Sequence, residues 1–228
     1  MADNHLQCVG FIMDGNRRWA KIHNLTALEG HRQGAETFEV TVRFLLDKKI
    51  PHGIFYAFSS ENWQRSEEEV LGLIQLFHDN FTRLAKLMAE EEKKIAIRFV
   101  GNLEEFDQTI RSEIKQIENE NSEDPITTIW IALSYGGRSE IITAVNQAVQ
   151  TGHSVSEETF ADLLMTANMP DPDLIIRTGG QQRLSNFLPW QSVYSELCFL
   201  DCLWPELTTD TLETVLADYT ARQRNFGK

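Results

Sequence analysis

The sequence has few cysteines, no long hydrophobic run and a deficit of positive charge. Its three cysteines, Cys8, Cys198 and Cys202, are odd in number and lack paired Cys-x-x-Cys spacing, which argues against a disulfide framework and against a zinc site. No apolar run approaches the ~18 residues of a transmembrane helix, and residues 1–7 are too few and too polar to predict a signal peptide. We therefore expect a cytoplasmic protein with reduced thiols.

The charge balance excludes another class of partner. Lysine and arginine number 21 against 34 aspartates and glutamates, which gives a net charge of −13. No nucleic-acid partner is expected, because binding to phosphate backbones requires a basic surface. The length of 228 residues and the hydrophobic content of 42% suit one globular domain spanning residues 1–228.

Several well-known catalytic motifs are also missing. The sequence contains no Gly-x-x-x-x-Gly-Lys-[Ser/Thr] phosphate loop and no Gly-x-Gly-x-x-Gly after a predicted strand, which disfavours a nucleoside triphosphate or dinucleotide site. It contains no Gly-x-Ser-x-Gly and no conspicuous Cys–His constellation, which disfavours covalent hydrolysis.

What the sequence does have is a regular alternation of buried strands and amphipathic helices. This alternation predicts an α/β fold, a single domain with a central, mostly parallel, six-stranded sheet flanked by helices. A loop is predicted for Lys21 to Glu29, and the first long helix is predicted after Gly34. The predicted strands are Val9–Met13, Ile54–Phe58, Ile95–Val100, Ile126–Leu133, Asp173–Ile176 and Glu196–Leu200.

Polar clusters follow four of these strands: Asp14–Arg18, Ser59–Arg65, Tyr135–Arg138 and Arg177–Asn186. In parallel α/β sheets, ligands bind beyond the carboxyl ends of the strands. We therefore expect the four clusters to converge on one edge of the sheet and to form one site.

The residue types in these clusters indicate a phosphorylated ligand. A strand-end carboxylate such as Asp14 can hold a divalent cation against a phosphate, although an Asx turn would explain the Asp-Gly-Asn sequence alone. Arginine side chains bind phosphate oxygens through two hydrogen bonds at once. Surface ion pairing with Asp171 or Asp173 is the alternative for Arg177 and Arg183. As a set, the arginines favour a polyphosphorylated small molecule.

The motifs resemble those of the cis-prenyltransferase family, most closely the bacterial undecaprenyl diphosphate synthase type. The resemblance runs from His5 to about Gly227, and no Asp-Asp-x-x-Asp motif of the trans-prenyltransferases occurs. The segments that carry it are Met13–Ala20, Gly30-His31, Phe58–Arg65, Tyr135–Arg138, Ile176–Gly180 and Arg183–Phe187.

The resemblance implies a fold like that of undecaprenyl diphosphate synthase and a reaction. An allylic diphosphate, such as farnesyl diphosphate, would be elongated by repeated Mg²⁺-dependent condensation with isopentenyl diphosphate to a polyprenyl diphosphate of the undecaprenyl lipid-carrier type. The growing chain needs an apolar tunnel, for which the helical stripe from Val70 to Met88 is a candidate wall. A homodimer formed through the C-terminal third, and peripheral contact with a membrane for product release, are also implied.

The resemblance assigns roles residue by residue. Asp14 would be catalytic and would hold Mg²⁺ with Glu196, and Asn62 would assist removal of the proton from isopentenyl diphosphate, with Ser59 nearby. The allylic diphosphate would be held by Gly15, Asn16, Arg17, Arg18 and His31. The isopentenyl diphosphate region would contain Trp63, Arg65, Arg177, Arg183 and Ser185. Further substrate-binding residues on the same motifs are Trp19, Ser60, Glu61 and Leu184.

Three positions depart from the family pattern. Ala27 stands where a basic residue is usual, Gln182 replaces a commoner basic residue or histidine, and Asn225 precedes Phe226-Gly227 where arginine is usual. Two other functions remain open. A non-catalytic scaffold subunit of the same fold would typically lack Asp14 and much of the Asn62 motif. A phosphohydrolase would need a second carboxylate beside Asp14.

Overall fold

The computed structural model describes residues 6–92, 94–152 and 154–222. Strands and helices alternate along these ranges almost as predicted, and three short 3₁₀ segments lie between them at Ser60–Gln64, Leu103–Glu105 and Trp204–Glu206. The elements are β1 (Cys8–Ile12), α1 (Asn16–Ile22), α2 (Ala27–Asp47), β2 (His52–Ser59), α3 (Glu67–Glu90), β3 (Ile95–Val100), α4 (Gln108–Asn119), β4 (Thr127–Tyr135), α5 (Gly137–Thr151), α6 (Glu157–Ala161), β5 (Leu174–Arg177), β6 (Glu196–Phe199) and α7 (Thr209–Ala221).

The six strands form one sheet in the order β3-β4-β2-β1-β5-β6. Every pair of neighbours is parallel, so the predicted six-stranded α/β sheet is confirmed and is parallel throughout. The chain moves from β1 to β2 on one side and later places β5 on the other side of β1. The sheet therefore has a topological switch point between β1 and β5, where ligands bind in open α/β sheets.

Burial explains why the strands are continuous apolar runs. All five residues of β1 and all nine of β4 are buried, as expected for parallel strands covered on both faces. On one face, Phe11, Phe55 and Ile131 belong to a core shared with α2, α3, α4 and α7. On the other face, Tyr135, Phe187 and Leu188 belong to a second core. Asp14 and the other strand-end residues therefore project from a rigid base.

Helix α2 begins earlier than the sequence predicts. The loop predicted for Lys21 to Glu29 is wrong, because Thr26 caps the helix and Glu29 completes a capping box with it. The helix was expected after Gly34, yet Gly30 and Gly34 both lie inside it. A Cβ atom at Gly30 would lie 2.3 Å from the carbonyl oxygen of Asn16, so the absence of a side chain allows α1 to pack closely on α2.

Helix α3 is the long amphipathic helix that the sequence predicts. Ser66 caps it by accepting a hydrogen bond from the backbone N–H of Glu69. The Glu69 carboxylate binds Arg65 instead of returning to Ser66, so only half of a capping box is formed. Its apolar stripe, including Leu73, Phe77 and Leu87, is buried. Within the described residues, no helix combines the length and apolarity needed to span a membrane.

Candidate active site

The switch point of the sheet is occupied by an ion pair. Asp14 follows β1 and Arg177 ends β5, and these strands are neighbours. Arg177 Nη2 donates to Asp14 Oδ2 at 2.9 Å. The Arg177 side chain is only 5% exposed, whereas that of Asp14 is 30% exposed. The carboxylate therefore faces solvent at the edge of the sheet, and a buried guanidinium holds it from behind.

A second arginine holds the other carboxylate oxygen. Arg18 Nη2 donates to Asp14 Oδ1 at 3.0 Å, and Arg18 Nη1 donates to the carbonyl of Gly179 at 2.8 Å. The Thr178 hydroxyl donates to the Asp14 carbonyl at 2.7 Å. Two positive groups thus converge on one carboxylate, and they can also receive an anionic ligand there.

The alternative that Arg177 pairs with Asp171 or Asp173 is wrong. Arg177 is committed to Asp14, while the Asp173 carboxylate accepts the backbone N–H groups of residues 7 and 8 at the opposite edge of the sheet. The guanidinium of Arg183 donates to Gln181 at 2.7 Å. The two arginines therefore do not form the surface pairs that the sequence left open.

Arg177 also orders the loop that follows β5. Its Nη1 donates to Ser185 Oγ at 2.7 Å and to the carbonyl of Arg183. Ser185, Asn186 and Leu188 have φ angles of 50°, 67° and 51°, a left-handed conformation that non-glycine residues rarely adopt. Such strain persists only where surrounding contacts hold the backbone, and it is common at functional sites. Here Leu188 is fully buried and Leu184 is half-buried against the same core.

Asn186 joins this loop to two further strand ends. Its Nδ2 donates to Glu61 Oε1 at 2.8 Å, and its Oδ1 accepts the backbone N–H of Arg138 at 2.8 Å. Burial alone would raise the pKa of the Glu61 carboxyl, but hydrogen bonds from Asn186 and its own neighbours lower it below its ordinary value. A Cβ atom at Gly136 would lie 2.4 Å from Ser60 Oγ, so these segments touch.

The clusters after β2, β4 and β5 therefore meet, and Asp14 meets the β5 cluster, as the sequence predicts. Asn186 connects these segments, and the sequence reasoning gave it no role of its own. Its position directly after Arg183-Leu184-Ser185 was the available signal.

The segment after β2 makes several separate contacts. Asn62 Oδ1 accepts the backbone N–H of Ser59 at 3.0 Å and so fixes the turn that carries both residues. Trp63 Nε1 donates to the Ser134 hydroxyl at 2.8 Å, and that hydroxyl donates to Glu105. Hydrogen bonds within the protein therefore position Ser59, Asn62 and Trp63, which the resemblance assigns to the region of isopentenyl diphosphate.

Glu69 brings two of the predicted arginines together. It accepts from Arg65 Nη1 at 2.8 Å and lies 3.7 Å from Nε of Arg17. Arg17 is exposed, and this contact links α1 to the start of α3. The sequence analysis did not single out Glu69, which lies in the acidic first turn of α3.

His31 and Asn16 present unpaired polar atoms nearby. The imidazole ring of His31 contacts the side-chain amide of Asn16, with His31 Nδ1 3.4 Å from Asn16 Nδ2. His31 Nε2 and Asn16 Oδ1 are buried and have no hydrogen-bond partner among the described residues. Burial, with the nearby positive charge of Arg65, lowers the pKa of His31 to about 4, so the ring is neutral at pH 7. Two orphaned polar atoms are unusual in a buried place and indicate a position for a ligand.

An apolar cleft with a cavity volume of about 120 Å³ begins at these two residues. It runs between α2 and α3 over the sheet, with Phe38, Phe77 and Leu133 among its walls. The stripe predicted to line a tunnel, from Val70 to Met88, contributes Leu73, Leu76, Phe77, Phe81, Leu84 and Leu87 to this lining. Met13 and Asn16 line the cleft and flank Asp14 in the chain, so the arginine-rich edge adjoins the apolar cleft.

Other predicted residues lie elsewhere. Trp19 stacks on His23 with ring centroids 4.1 Å apart. Glu196 begins β6 and is in register with Leu174, at the amino end of the strands, whereas Asp14 follows their carboxyl ends. Four residues of strand separate these edges, roughly 13 Å. Glu196 instead pairs with Arg222 at 2.8 Å. One chain therefore does not bring Glu196 to Asp14 as a second ligand of the same metal.

The donor set at Asp14 suits Mg²⁺ only together with a substrate. Within the described ranges, no group of three or more histidine, cysteine or acidic side chains is arranged to hold a metal ion. Magnesium is usually bound by one or two carboxylates plus substrate phosphates, and it retains several waters. The partly exposed carboxylate of Asp14 fits that role.

The fold and the site define a class of protein, an α/β protein whose sheet edge suits a diphosphate and whose adjoining cleft suits an apolar tail. The family model described as undecaprenyl diphosphate synthase, a family of prenyltransferases, matches residues 12–227. The chain belongs to this family, and the predicted membership of the cis-prenyltransferases is confirmed.

Individual relatives agree with this assignment. The isoprenyl transferase of Thermotoga maritima is 41% identical over 226 residues, which cover 97% of this chain and 96% of that protein. A ditrans,polycis-undecaprenyl-diphosphate synthase of Pseudomonas syringae pv. tomato, described as (2E,6E)-farnesyl-diphosphate specific, is 38% identical, with coverage of 96% and 90%. The crystal structure of lavandulyl diphosphate synthase from Lavandula x intermedia with dimethylallyl diphosphate superposes with a TM-score of 0.92 at 30% identity, covering 99% of both chains.

Proposed function

We propose that this prenyltransferase elongates an allylic diphosphate by sequential condensation with isopentenyl diphosphate. The observation that carries the proposal is the continuity between the arginine-held Asp14 and the apolar cleft. A prenyl diphosphate has the same two parts, a doubly anionic head and a long hydrocarbon tail. Condensation at the sheet edge would push the growing tail further into the cleft.

The allylic diphosphate is placed at Asn16, Arg17, Arg18 and His31. Asn16 and His31 line the cleft, and their orphaned atoms supply a donor or acceptor there. Arg17 and Arg18 follow Asn16 on α1. Isopentenyl diphosphate is placed at Arg177, Arg183 and Ser185, on the loop held by the buried guanidinium. Asn186 and Glu61 close the side between the two positions.

Charge at the leaving group governs the chemistry. The bond between the allylic C1 and its diphosphate oxygen breaks, C1 bonds to isopentenyl C4, and isopentenyl C2 loses a proton. Bound Mg²⁺ would neutralise charge that develops on the departing diphosphate. Arg18 stabilises the same charge by hydrogen bonding, and Asp14 orients Arg18 and Arg177. Asn62, fixed against Ser59, is proposed to assist departure of the proton.

The proposal is tested with radiolabelled isopentenyl diphosphate, Mg²⁺ and a series of allylic primers. We expect label in butanol-extractable product that depends on both the primer and Mg²⁺. A farnesyl-specific relative and a neighbour bound to dimethylallyl diphosphate are the reasons to vary the primer. The absence of labelled product with every primer would reject the proposal.

A non-catalytic scaffold subunit is the second candidate. It would retain the fold without needing the buried Arg177–Asp14 pair or the orphaned atoms at the cleft mouth. Those features favour the enzyme. In the labelling assay, a scaffold would give no product alone and would raise the activity of an added catalytic subunit.

We also propose a homodimer through the C-terminal third, with a narrower surface than the whole apolar segment from Phe187 to Trp204. Phe187, Leu188 and Trp204 are fully buried within this chain and complete its own core. The exposed apolar residues of the C-terminal third are Val193, Tyr194 and Leu197, on and before the edge strand β6. Sedimentation at micromolar protein would give a mass of about twice 26.2 kDa. A single species of monomer mass would reject the dimer.

The C-terminal sequence Arg224–Gly227, including the Asn225 departure, lies outside the described residues.

We propose that the enzyme is cytoplasmic and contacts the membrane surface peripherally to release its product, because a long polyprenyl chain partitions into lipid. Flotation with vesicles in the presence and absence of product would test this contact, and equal binding in both conditions would contradict it.

A further inference from the structure

Strand β4 is irregular at its carboxyl end. Phe58 on β2 is in register with Leu133, and the next residue, Ser59, is in register with Tyr135. Ser134 is therefore an extra residue on β4, a β-bulge, and its φ angle of 47° is left-handed. Bulges occur next to active sites, where they redirect a side chain. The bulge gives the side chain of Ser134 a direction that a regular strand would not give it.

The Ser134 hydroxyl lies in a chain of three groups. Trp63 Nε1 donates to Ser134 Oγ at 2.8 Å, and Ser134 Oγ donates to the carboxylate of Glu105. Ser134 is buried and Glu105 is exposed, so the chain runs from the interior to solvent. We name these three residues the Ser134 relay. Because the hydroxyl hydrogen points at the carboxylate, a lone pair of Oγ remains to accept the indole N–H.

The turn after β3 brings Glu105 to Ser134. The backbone N–H of Asn102 donates to the Ser134 carbonyl at 3.2 Å. Gly101 has a φ angle of 127°, and a Cβ atom there would overlap the backbone at the end of β4, so this approach requires glycine. Phe106, beside Glu105, is buried. Backbone contacts and a buried neighbour therefore fix the position of the Glu105 carboxylate.

The relay orients the indole of Trp63. The ring centroid lies 5.0 Å from that of Phe58 and 5.1 Å from that of Phe106. Ring packing alone does not satisfy the indole N–H, which usually finds a hydrogen-bond partner in a protein interior. The relay supplies that partner and determines which edge of the ring faces β4. Trp63 belongs to the 3₁₀ segment Ser60–Gln64, which also carries Asn62.

We propose that Ser134 is a positioning residue for prenyl elongation, because it fixes the indole of Trp63 and thereby the segment that carries Asn62. Glu105 sets the direction of the Ser134 hydroxyl. This proposal rests on the proposed elongation, in which Asn62 assists departure of the proton from isopentenyl diphosphate. Ser134 and Glu105 act through Trp63, so their loss should lower turnover and leave the KM of the allylic primer unchanged.

The test uses the full-length protein and variants that separate the hydroxyl of Ser134 from its backbone. Ser134→Ala and Ser134→Gly both remove the hydroxyl. Glycine also relieves the left-handed conformation, so Ser134→Gly should have the higher melting temperature of the two. A residue that acted only through stability would then give two different activities. The relay predicts equal losses of activity in both variants.

Two variants of Glu105 test the acceptor. Glu105→Ala removes it, whereas Glu105→Gln keeps a carbonyl oxygen that can accept from the Ser134 hydroxyl. Glu104→Ala is the matched control, because Glu104 lies in the same 3₁₀ segment, is exposed and pairs with Arg111. Trp63→Phe keeps an aromatic ring and removes the N–H donor.

The first readout needs no substrate. The five tryptophans each give one indole N–H cross-peak in a ¹H–¹⁵N correlation spectrum, and Trp63→Phe identifies the peak of Trp63. We expect this peak to move upfield in Ser134→Ala, Ser134→Gly and Glu105→Ala, because a weaker hydrogen bond shields the proton. It should stay close to its wild-type position in Glu105→Gln and Glu104→Ala.

The second readout is steady-state kinetics with labelled isopentenyl diphosphate. Ser134→Ala and Ser134→Gly should lower kcat about tenfold, and Glu105→Ala should lower it about threefold, the range that one hydrogen bond contributes. Glu105→Gln should recover most of that loss, Glu104→Ala should match wild type, and KM for the primer should stay within about twofold. In the Trp63→Phe background, Glu105→Ala should have no further effect, because the N–H through which it acts is gone.

An unmoved indole peak in Ser134→Ala and Glu105→Ala would overturn the relay. A moved peak with wild-type kcat would overturn the positioning role, as would a Ser134→Gly protein much more active than Ser134→Ala. Fully additive losses from Glu105→Ala and Trp63→Phe would show that Glu105 does not act through the indole, which would overturn the relay as well. A wild-type protein that forms no prenyl product with any primer would overturn the proposed function and the positioning role with it, while the indole spectrum would still decide whether the relay forms.

Discussion

Replacement of Asp14 by alanine should separate a structural contribution of this carboxylate from a catalytic one. The carboxylate binds two guanidinium groups, one of them on the almost fully buried Arg177. Removing a partner from a fully buried pair costs about 3–5 kcal/mol, whereas exposed pairs contribute about 0–1 kcal/mol. Asp14 is 30% exposed, so we expect a loss of unfolding free energy of roughly 1–3 kcal/mol.

The loss of turnover should be much larger than this instability explains. Asp14 orients Arg18 and Arg177 and is the proposed carboxylate for Mg²⁺. Removing one preorganised electrostatic contact to a transition state lowers kcat by about 10²–10³-fold. Urea unfolding at 25 °C gives the stability, and initial rates of labelled condensation at saturating substrate give kcat.

Asp173→Ala is the control for this experiment. Its carboxylate accepts two backbone N–H groups at the amino edge of the sheet, so its removal should also destabilise the fold. It should leave kcat of the folded protein within about threefold, because it is remote from the diphosphate edge. If Asp14→Ala retained near-wild-type kcat, or if Asp173→Ala lost as much, the role given to Asp14 would be refuted.

Three further predictions concern the edge of the site. Arg183→Ala should raise KM for isopentenyl diphosphate by about tenfold or more and leave that for the primer within twofold; equal effects would mean that the two diphosphate positions are wrongly assigned. The fold lowers the pKa of His31 to about 4, so its contribution to stability is complete above pH 6.5 and is lost as the pH falls towards 4. His31→Gln should flatten the pH dependence of the unfolding free energy between these values, measured with urea. An unchanged slope would contradict this role of His31. Ala27→Arg should tighten allylic diphosphate binding by up to about 1.5–3 kcal/mol in calorimetry; no change, together with weaker binding in Arg17→Gly, would point to compensation by Arg17.

The sequence predicts the sheet well because its signal is local. Continuous apolar runs such as Ile95–Val100 are sufficient to identify buried parallel strands, and polar residues at their ends identify the ligand edge. The convergence of Asp14 with Arg177 follows from this reasoning. The topological switch between β1 and β5 does not, because strand order depends on contacts distant in sequence.

Two misplaced features have physical reasons. The first long helix was expected only after Gly34, yet Gly30 and Gly34 lie inside it and allow close contact with Asn16. Glu196 was expected at the site because the family resemblance assigns it as a second metal ligand. It begins β6, as the sequence predicts, and the parallel register of β6 with β5 places it at the amino edge of the sheet, opposite Asp14. Long-range packing decides both cases.

The contacts of the arginines were also beyond local patterns. Arg17 and Arg65 lie far apart in sequence and meet at Glu69, a residue that the sequence presents only as part of an acidic helix start. Similarly, Trp63 finds Ser134 at the end of a different strand. Spacing identified the right residue types, and the fold determined their partners.

The central claim is that the head of a prenyl diphosphate lies at the carboxyl edge of the sheet with its tail between α2 and α3. The most direct measurement is a crystal structure with Mg²⁺ and an unreactive thio analogue of farnesyl diphosphate. We predict diphosphate oxygens bonded to Arg18 and Asn16, Mg²⁺ at Asp14, and the farnesyl chain against Phe38 and Phe77. The account would be contradicted if the cleft between α2 and α3 were empty and the analogue were bound elsewhere, for example in the groove lined by His52, Arg98 and Trp130.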